Sequence, residues 1–387
     1  MGSRLFYRKS GEYHFIQTDR ASTSYSTFTP NPLSEKLEVE VDAELANLMS
    51  NANRLLGQLE GMSAFLPNVE AIESVFMHKE ALLSCQIDGR TALPYSVFDA
   101  SKKDKIETRF IRDYVSVMNY GLNKMNTSQY ISKLLCEMHK RLIHQNTDKY
   151  SGHFRKEQVF LGKALTNMEQ YLPTAPIHIH AAMRDLENFI QSKGNFDAVI
   201  KMALAHYQFE TIHPFMTGNG RIGRILSYMI LSNMKILTHP ILCLSQYLHL
   251  NKLEYIDRME RLRQIYEYEQ WVIFFIKSIT YAAADSLERI KKWLAVRELN
   301  LKKIKDCGKT VKAIEKTFDI LELYPIIDVN TLAEKTTISY NTAAATLKLF
   351  SEMGIVHQSN SLERNRDYAN SDFIQCFLSD IYQYQYE

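Results

Sequence analysis

Residues 213–224 read "HPFMTGNGRIGR", and the residue types in that order suit one kind of chemistry. His213 has the near-neutral basicity needed to take a proton from a hydroxyl. Pro214 stiffens the turn behind it and Phe215 is a candidate core anchor. Gly218 and Gly220 let the backbone approach a ligand, and Asn219 adds an amide donor. Arg221 and Arg224 are three apart, so both guanidinium groups reach over one helical turn. If a helix begins in this run, its unsatisfied N–H groups and the positive end of its dipole meet the arginines and form a cradle for a polyphosphate. A hydroxyl attacking a phosphorus held there, with His213 removing its proton, is the reaction such a grouping serves. An isolated H-P-F triplet is more often a helix cap than a base; here it is joined to G-N-G-R-x-x-R.

Two other phosphate motifs do not fit. "GNGRIG" (218–223) matches G-x-G-x-x-G, but helical rather than strand-like sequence precedes it, and "THPILCL" lies where the acidic residue of a dinucleotide site belongs. A Walker loop needs a lysine after its glycines, and none follows.

The elements that must hold these residues are mostly helical. Apolar residues recur at helical spacing from about Leu37 to Gly61, and again over 70–86, 106–124, 129–144, 178–192, 196–210 and 221–234. The opening thirty-odd residues mix aromatics with Ser, Thr and Pro, and "TPNPLS" (29–34) ends them as a loop. One segment breaks the helical habit: 152–176 holds "QVFLG", then a loop and a Pro-bounded exit, which predicts a small hairpin whose extended edge can pair with a strand of another chain. Residues 291–316 are basic and helical with a break at Gly308, as in a connector. Beyond them the sequence has the form of a winged helix-turn-helix: a helix at 330–335, a turn, a helix at 340–353, Gly354, then two strand-like runs.

Composition narrows the class. The 387 residues suffice for two or three domains, and 46 basic against 44 acidic residues give no broad field toward DNA or a membrane, so anion binding must be local. Five well-separated cysteines without a C-x-x-C pair indicate neither a disulfide framework nor a zinc site, and a reducing cytoplasm fits. "MGSRLFYRKS" has no signal-peptide core and no myristoylation pattern, and "WVIFFI" (271–276) is too short to span a bilayer. No membrane role is expected.

The 213–224 segment resembles the H-P-F-x-[D/E]-G-N-G-R-x-x-R motif of the Fic family of nucleotidyl transferases. Its flanks "YQFETIHPF" and "RILSYMILSNMKILTHPILCLSQYLHLNKLEYIDRM" continue the likeness, while "NPLSEKLEVEVDAELANLMSNANRLLGQLEGMSAFLPNVE" and "KEALLSCQIDGRT" resemble the helical N-terminal region of larger Fic proteins. Residues 30–290 are covered, and a winged-helix tail like 317–375 occurs in the same branch. The fold expected is mainly α: a Fic-type helical bundle with a small β-hairpin flap, plus a C-terminal winged helix-turn-helix domain. The divisions expected are 1–105 (N-terminal helical region), 106–290 (catalytic core), 291–316 (connector) and 317–387 (winged helix).

That resemblance implies transfer of AMP from ATP to a Ser, Thr or Tyr hydroxyl of a target protein or of the chain itself. It implies His213 as general base, with Gly218, Asn219, Gly220 and Arg221 on the phosphates and Arg224 on the γ-phosphate. Val159, Phe160, Leu161 and Gly162 would form the flap that aligns the target by strand pairing. Asn251 and Tyr255 fall on the adenine side, where plain helix packing is an equal reading. Two positions depart from the family pattern. Thr217 replaces its acidic metal ligand, and a hydroxyl is a poor Mg²⁺ ligand, so Mg²⁺ would be held mainly by triphosphate and water. "SCQIDG" resembles the inhibitory [S/T]-x-x-x-E-[G/N] motif through Ser84, Asp88 and Gly89, with Asp for Glu. In the family that acid pairs with the second arginine, here Arg224, and excludes the γ-phosphate. Asp is one methylene shorter, which loosens the latch, and D-G also makes plain turns.

Two further readings stay open: a nucleotide-binding regulator with little catalysis, motivated by Thr217, and a DNA-binding regulator acting through the winged helix. "YNTAAATLKLFSEM" carries one Lys and one Glu, so protein contact or a homodimer is favoured over DNA, with Asn341, Arg364 and Arg366 as the thin support for the latter.

Overall fold

The computed structural model describes residues 9–17, 24–33, 37, 39–90, 98, 106–143, 149–161, 171–193, 196–307, 311–359 and 366–383. In chain order they form β1 (Gly11–Gln17), β2 (Ser24–Pro30), α1 (Ala43–Ser63), α2 (Val69–Ile87), α3 (Ile106–Met125), α4 (Ile131–Leu142), α5 (Pro176–Gln191), α6 (Ala198–Ile212), α7 (Asn219–Asn233), α8 (Leu244–Leu250), α9 (Lys252–Ile265), α10 (Tyr268–Asp306), α11 (Val311–Leu323), β3 (Ile326–Asp328), α12 (Val329–Thr336), α13 (Tyr340–Glu352), β4 (His357–Gln358), β5 (Asp367–Ala369) and α14 (Ser371–Gln383). The mainly helical class expected from the apolar spacing is what forms.

The chain divides into two compact units, one of residues 1–58, 113–238 and 244–281, the other of 59–112, 239–243 and 282–387. These are not the four linear divisions expected from sequence. α10 runs for 39 residues straight through position 290, where the connector was expected to begin. The expected break at Gly308 lies outside the described residues.

The centre of the first unit is α6. All 15 of its residues are buried, so "AVIKMALAHYQFETI" shows no single apolar stripe, and its polar members Lys201, His206, Gln208 and Glu210 are buried with the rest. Asp197 caps its start, Oδ1 accepting the Val199 N–H at 3.0 Å. α5 and α7 pack on it, and the Trp271 indole, fully buried, donates to the Ala203 carbonyl (2.8 Å). The opening segment, for which the sequence reading named no strands, pairs as β1 and β2, antiparallel from Gly11↔Pro30 to Gln17↔Ser24. Gly11 is required there, since a Cβ would lie 2.4 Å from the Phe28 ring. The Phe28 N–H donates to the Leu172 carbonyl (2.9 Å), and the Thr174 hydroxyl donates to the Phe28 carbonyl (3.2 Å), so β2 is tied to the exit of the predicted hairpin.

In the second unit α2 packs against α11 and α14. Glu322, 2% exposed, receives the Asn68 amide (3.0 Å) and the Trp293 indole (2.9 Å) and pairs with Arg297, which also reaches Asp319 at 2.5 Å. Phe318, Leu321, Ile327, Leu332, Leu347, Phe350 and Val356 make the apolar core under α11–α13. Asp328 caps α12, Ser339 caps α13, and Gly354 takes a φ of +67° just after α13. The sheet order is β3-β5-β4; the tip between β4 and β5, with Arg364, is outside the described residues. Among the described residues no helix is long and apolar enough to cross a membrane, and all five cysteines are free thiols.

Candidate functional site

The 213–224 segment is the junction of α6 and α7. His213 sits at the C-terminal cap of α6 with φ 52° and ψ 61°, its N–H bonded to the Phe209 carbonyl at 3.0 Å. A left-handed backbone is uncommon outside glycine and costs about 1–3 kcal/mol, so the surroundings must impose it. Pro214 follows and forbids continuation of the helix. Phe215 is fully buried, stacked flat on His139 of α4 with centroids 4.0 Å apart and 4° between planes, and lies 5.6 Å from Phe154.

α7 begins at Asn219, with Gly218 as its N-cap at φ 75°. A Cβ on Gly218 would come within 3.2 Å of Ile143 and 3.3 Å of Arg221 Nη2. The first intrahelical bond is Ile222 N–H to the Gly218 carbonyl, 3.1 Å; the earlier N–H groups point out of the helix end, as in any helix N-terminus. Arg221 and Arg224 are each 2% exposed. Gly223 is glycine for a different reason: a Cβ there would lie 2.3 Å from the Glu210 carboxylate.

Asn219 is 1% exposed, and its side chain is committed to the loop. Oδ1 accepts the Phe215 N–H and Nδ2 donates to the Phe215 carbonyl, both at 2.8 Å. Thr217 is exposed, and its carbonyl receives a bond from His139 Nε2 (3.0 Å). His139 Nδ1 accepts the Gly152 N–H (3.0 Å), which fixes the tautomer with the proton on Nε2. His139 thus joins the motif loop to the segment leading into the hairpin. Nothing in a single sequence distinguishes such a histidine from its neighbours.

In the segment expected as a hairpin, the described residues Leu161 and Tyr171 form an isolated antiparallel pair, each N–H to the other's carbonyl at 2.8 Å. Val159 and Phe160 precede it, Phe160 51% exposed. Gly162 lies outside the described residues. Tyr171 anchors the exit, its hydroxyl donating to the Thr211 carbonyl (2.8 Å) and its ring 3.8 Å from the Arg263 guanidinium; burial pushes its phenol above the usual range.

Asn251 and Tyr255 have packing partners. Asn251 starts α9 and donates to the Tyr247 carbonyl (2.9 Å). Tyr255 is 7% exposed, within an aromatic group with Trp271 and Phe274, and its hydroxyl meets His206 Nε2 at 3.0 Å. His206 Nδ1 faces the Gly223 carbonyl (3.3 Å) and the Ser227 hydroxyl (3.2 Å). Burial, then the nearby Arg224 charge, lower His206 to about 3, so it is a neutral strut.

Ser84, Asp88 and Gly89 belong to the second unit. Ser84 is fully buried in α2 and Asp88 is the exposed C-cap. Gly89 has φ +78°, its N–H reaching the Gln86 carbonyl and the Arg90 N–H the Cys85 carbonyl, both 2.9 Å. These are the two bonds of a Schellman cap, so the Asp-Gly pair has a local duty in ending α2. Among the described residues no three His, Cys, Asp or Glu side chains converge as a metal site. With the hydroxyl of Thr217 as the only side-chain oxygen at the expected ligand position, the residues do not fit a protein-built Mg²⁺ cage.

Residues 130–231 match the family model described as Fic/DOC family, and residues 46–123 match Fic/DOC family N-terminal. The protein adenylyltransferase Fic of Drosophila mojavensis is 30% identical over 173 residues, covering 40% of this chain and 33% of that protein. Its namesake from Aedes aegypti is 30% identical over 128 residues, 32% of this chain and 24% of that protein. The chain therefore spans a third or less of the length of these relatives. A Fic family protein from Desulfovibrio desulfuricans G20 superposes with a TM-score of 0.57 at 15% identity, over 86% of this chain and 97% of that one, a likeness of fold.

Proposed function

From a chain that belongs to the Fic/DOC family, we propose a protein adenylyltransferase that moves AMP from ATP to a hydroxyl side chain. The observation that carries the reading is the α6–α7 junction, where His213 stands at one end of a pinned loop and the N-terminus of α7, with buried Arg221 and Arg224, stands at the other. The triphosphate rests on the backbone N–H groups of Gly218, Asn219 and Gly220 and on Arg221, with Arg224 on the γ-phosphate. His213 takes the proton from the incoming hydroxyl. The hydroxyl oxygen bonds to the α-phosphorus, the bond from that phosphorus to the β-phosphate oxygen breaks, and pyrophosphate leaves. The protein product is a phosphodiester of AMP.

The 159–162 edge presents the target by strand pairing, the target being another protein or a second copy of this chain. Asn219 serves chiefly by holding the loop. Asn251 and Tyr255 support the adenine side from behind through packing. A divalent cation would be carried on the phosphates rather than by the chain. Ser84, Asp88 and Gly89 are read as the segment that restrains activity. The C-terminal region from α11 to α14 is read as a winged helix devoted to protein contact, since Tyr340, Asn341 and Thr342, exposed at the start of α13, offer no basic surface to DNA. The free thiols suit a reducing cytoplasm.

Thr217 motivates a second reading, a nucleotide-binding regulator with little turnover. One experiment separates the two. The chain carrying Asp88→Gly is incubated with a nucleotide mixture and its mass read intact: adenylyl addition to a hydroxyl residue, absent with His213→Ala, supports the enzyme. Nucleotide binding by calorimetry without any added mass supports the regulator.

A further inference from the structure

Arg155 lies outside the motif, 58 residues before His213, and is 2% exposed. Its Nε donates to the His213 carbonyl (2.8 Å) and its backbone N–H to the Pro214 carbonyl (2.9 Å). Nη1 donates to the Glu157 carbonyl (3.1 Å), and Nη2 to the carbonyls of Thr174 and Ile212. Among the described residues each of its acceptors is a main-chain carbonyl. A buried cation usually sits against a carboxylate; this one is held by peptide dipoles, and burial lowers it only to about 10, so it stays charged at neutral pH.

The acceptors belong to three places: the C-terminal end of α6 where His213 turns left-handed, the entry stem of the hairpin at Glu157, and its exit stem at Thr174. The Gly152 bond to His139, which itself grips the Thr217 carbonyl, adds a second tie between the same segment and the motif loop. A planar five-donor fork can satisfy carbonyls in several directions at once; an ammonium group on a flexible stem cannot reproduce that pattern.

We propose that Arg155 is a positioning residue that makes the His213 turn and both stems of the 159–161 flap one rigid piece, so that a hydroxyl presented along the flap meets the imidazole at a fixed place. The assignment rests on the reading of His213 as the base. It differs from a general stabilising role because it links presentation of the acceptor to the base while leaving the nucleotide cradle at α7 untouched.

The test compares wild type, Arg155→Lys and Arg155→Ala, each in the Asp88→Gly background and each checked for folding by circular dichroism. Arg155→Lys is expected to keep ATP affinity by calorimetry and KM for ATP within about twofold, while kcat for transfer falls by about 100-fold, the usual effect of misplacing reacting groups. Amide exchange over 157–161 and 171–174 is expected to speed up by about tenfold, with α7 unchanged. Guanidinium ion, but not methylammonium, is expected to restore part of the rate of Arg155→Ala in a saturable way. Wild-type turnover and wild-type exchange in Arg155→Lys would overturn the assignment, and so would an equal loss of nucleotide affinity. If the Asp88→Gly protein itself transfers nothing, the reading of His213 as a base has failed instead, and the exchange of the two stems alone decides whether Arg155 couples them.

Discussion

Asn219 and Phe215 exchange two hydrogen bonds of 2.8 Å, the side-chain amide of one matched to the backbone N–H and carbonyl of the other. A side chain expected to face phosphate is thus the internal brace of the loop between base and cradle. Asn219→Ala leaves two buried main-chain groups unsatisfied, at about 1–3 kcal/mol. Urea unfolding should show that loss, and transfer should fall more than nucleotide affinity. A stability change within error would remove the bracing role.

Gly218→Ala tests the cradle. Alanine at φ 75° with Ile143 3.2 Å from its Cβ is strained, at about 1–2 kcal/mol for the left-handed backbone alone. The start of α7 should shift and ATP affinity should drop, while Gly61→Ala, whose Cβ meets nothing within 4 Å, should leave affinity as it is. Calorimetry on the two variants makes the comparison.

Buried and exposed ion pairs should behave differently. Glu322→Ala takes one of two carboxylate partners from Arg297, 8% exposed, leaving Asp319, and removes the carboxylate that accepts the Trp293 indole, so the second unit should lose about 1–3 kcal/mol. Lys149 and Glu157, whose side chains are 71% and 53% exposed, also pair, yet Glu157→Gln should leave stability unchanged within error. Thermal unfolding of both variants reads the contrast.

How much of this was legible in the sequence follows from range. α6, α7 and the glycine turn between them are local patterns, and "HPFMTGNGRIGR" carries in one run the residues on which the proposed chemistry rests. β1 and β2 were missed because "EYHFIQ" and "SYSTFTP" are held by pairing with each other and with Leu172, a contact that lies far along the chain. Arg155 and His139 were missed for the same reason. Their partners are main-chain carbonyls and N–H groups, which leave no mark on residue type. The assignment of 59–112 with 282–387 likewise depends on Asn68 meeting Glu322, some 250 positions away.

Stability should fall in mild acid through His206. Its folded pKa of about 3 lies below its ordinary 6.5, so the unfolded chain binds the extra proton. The contribution of this group is complete above pH 6.5 and is lost as pH falls from 6.5 toward 3, at up to about 1.4 kcal/mol per pH unit. Urea midpoints of wild type and His206→Gln between pH 7 and 4.5 test this: the wild-type decline should be steeper, and parallel curves would contradict it.

The central claim is that ATP yields its α-phosphorus to a protein hydroxyl when His213 is present. Parallel incubations of the Asp88→Gly chain with ATP labelled on the α- or the γ-phosphorus test it most directly. The account predicts α-label on protein, γ-label released in pyrophosphate, and neither retained with His213→Ala. Retention of γ-label on protein, or α-label undiminished by His213→Ala, would contradict it.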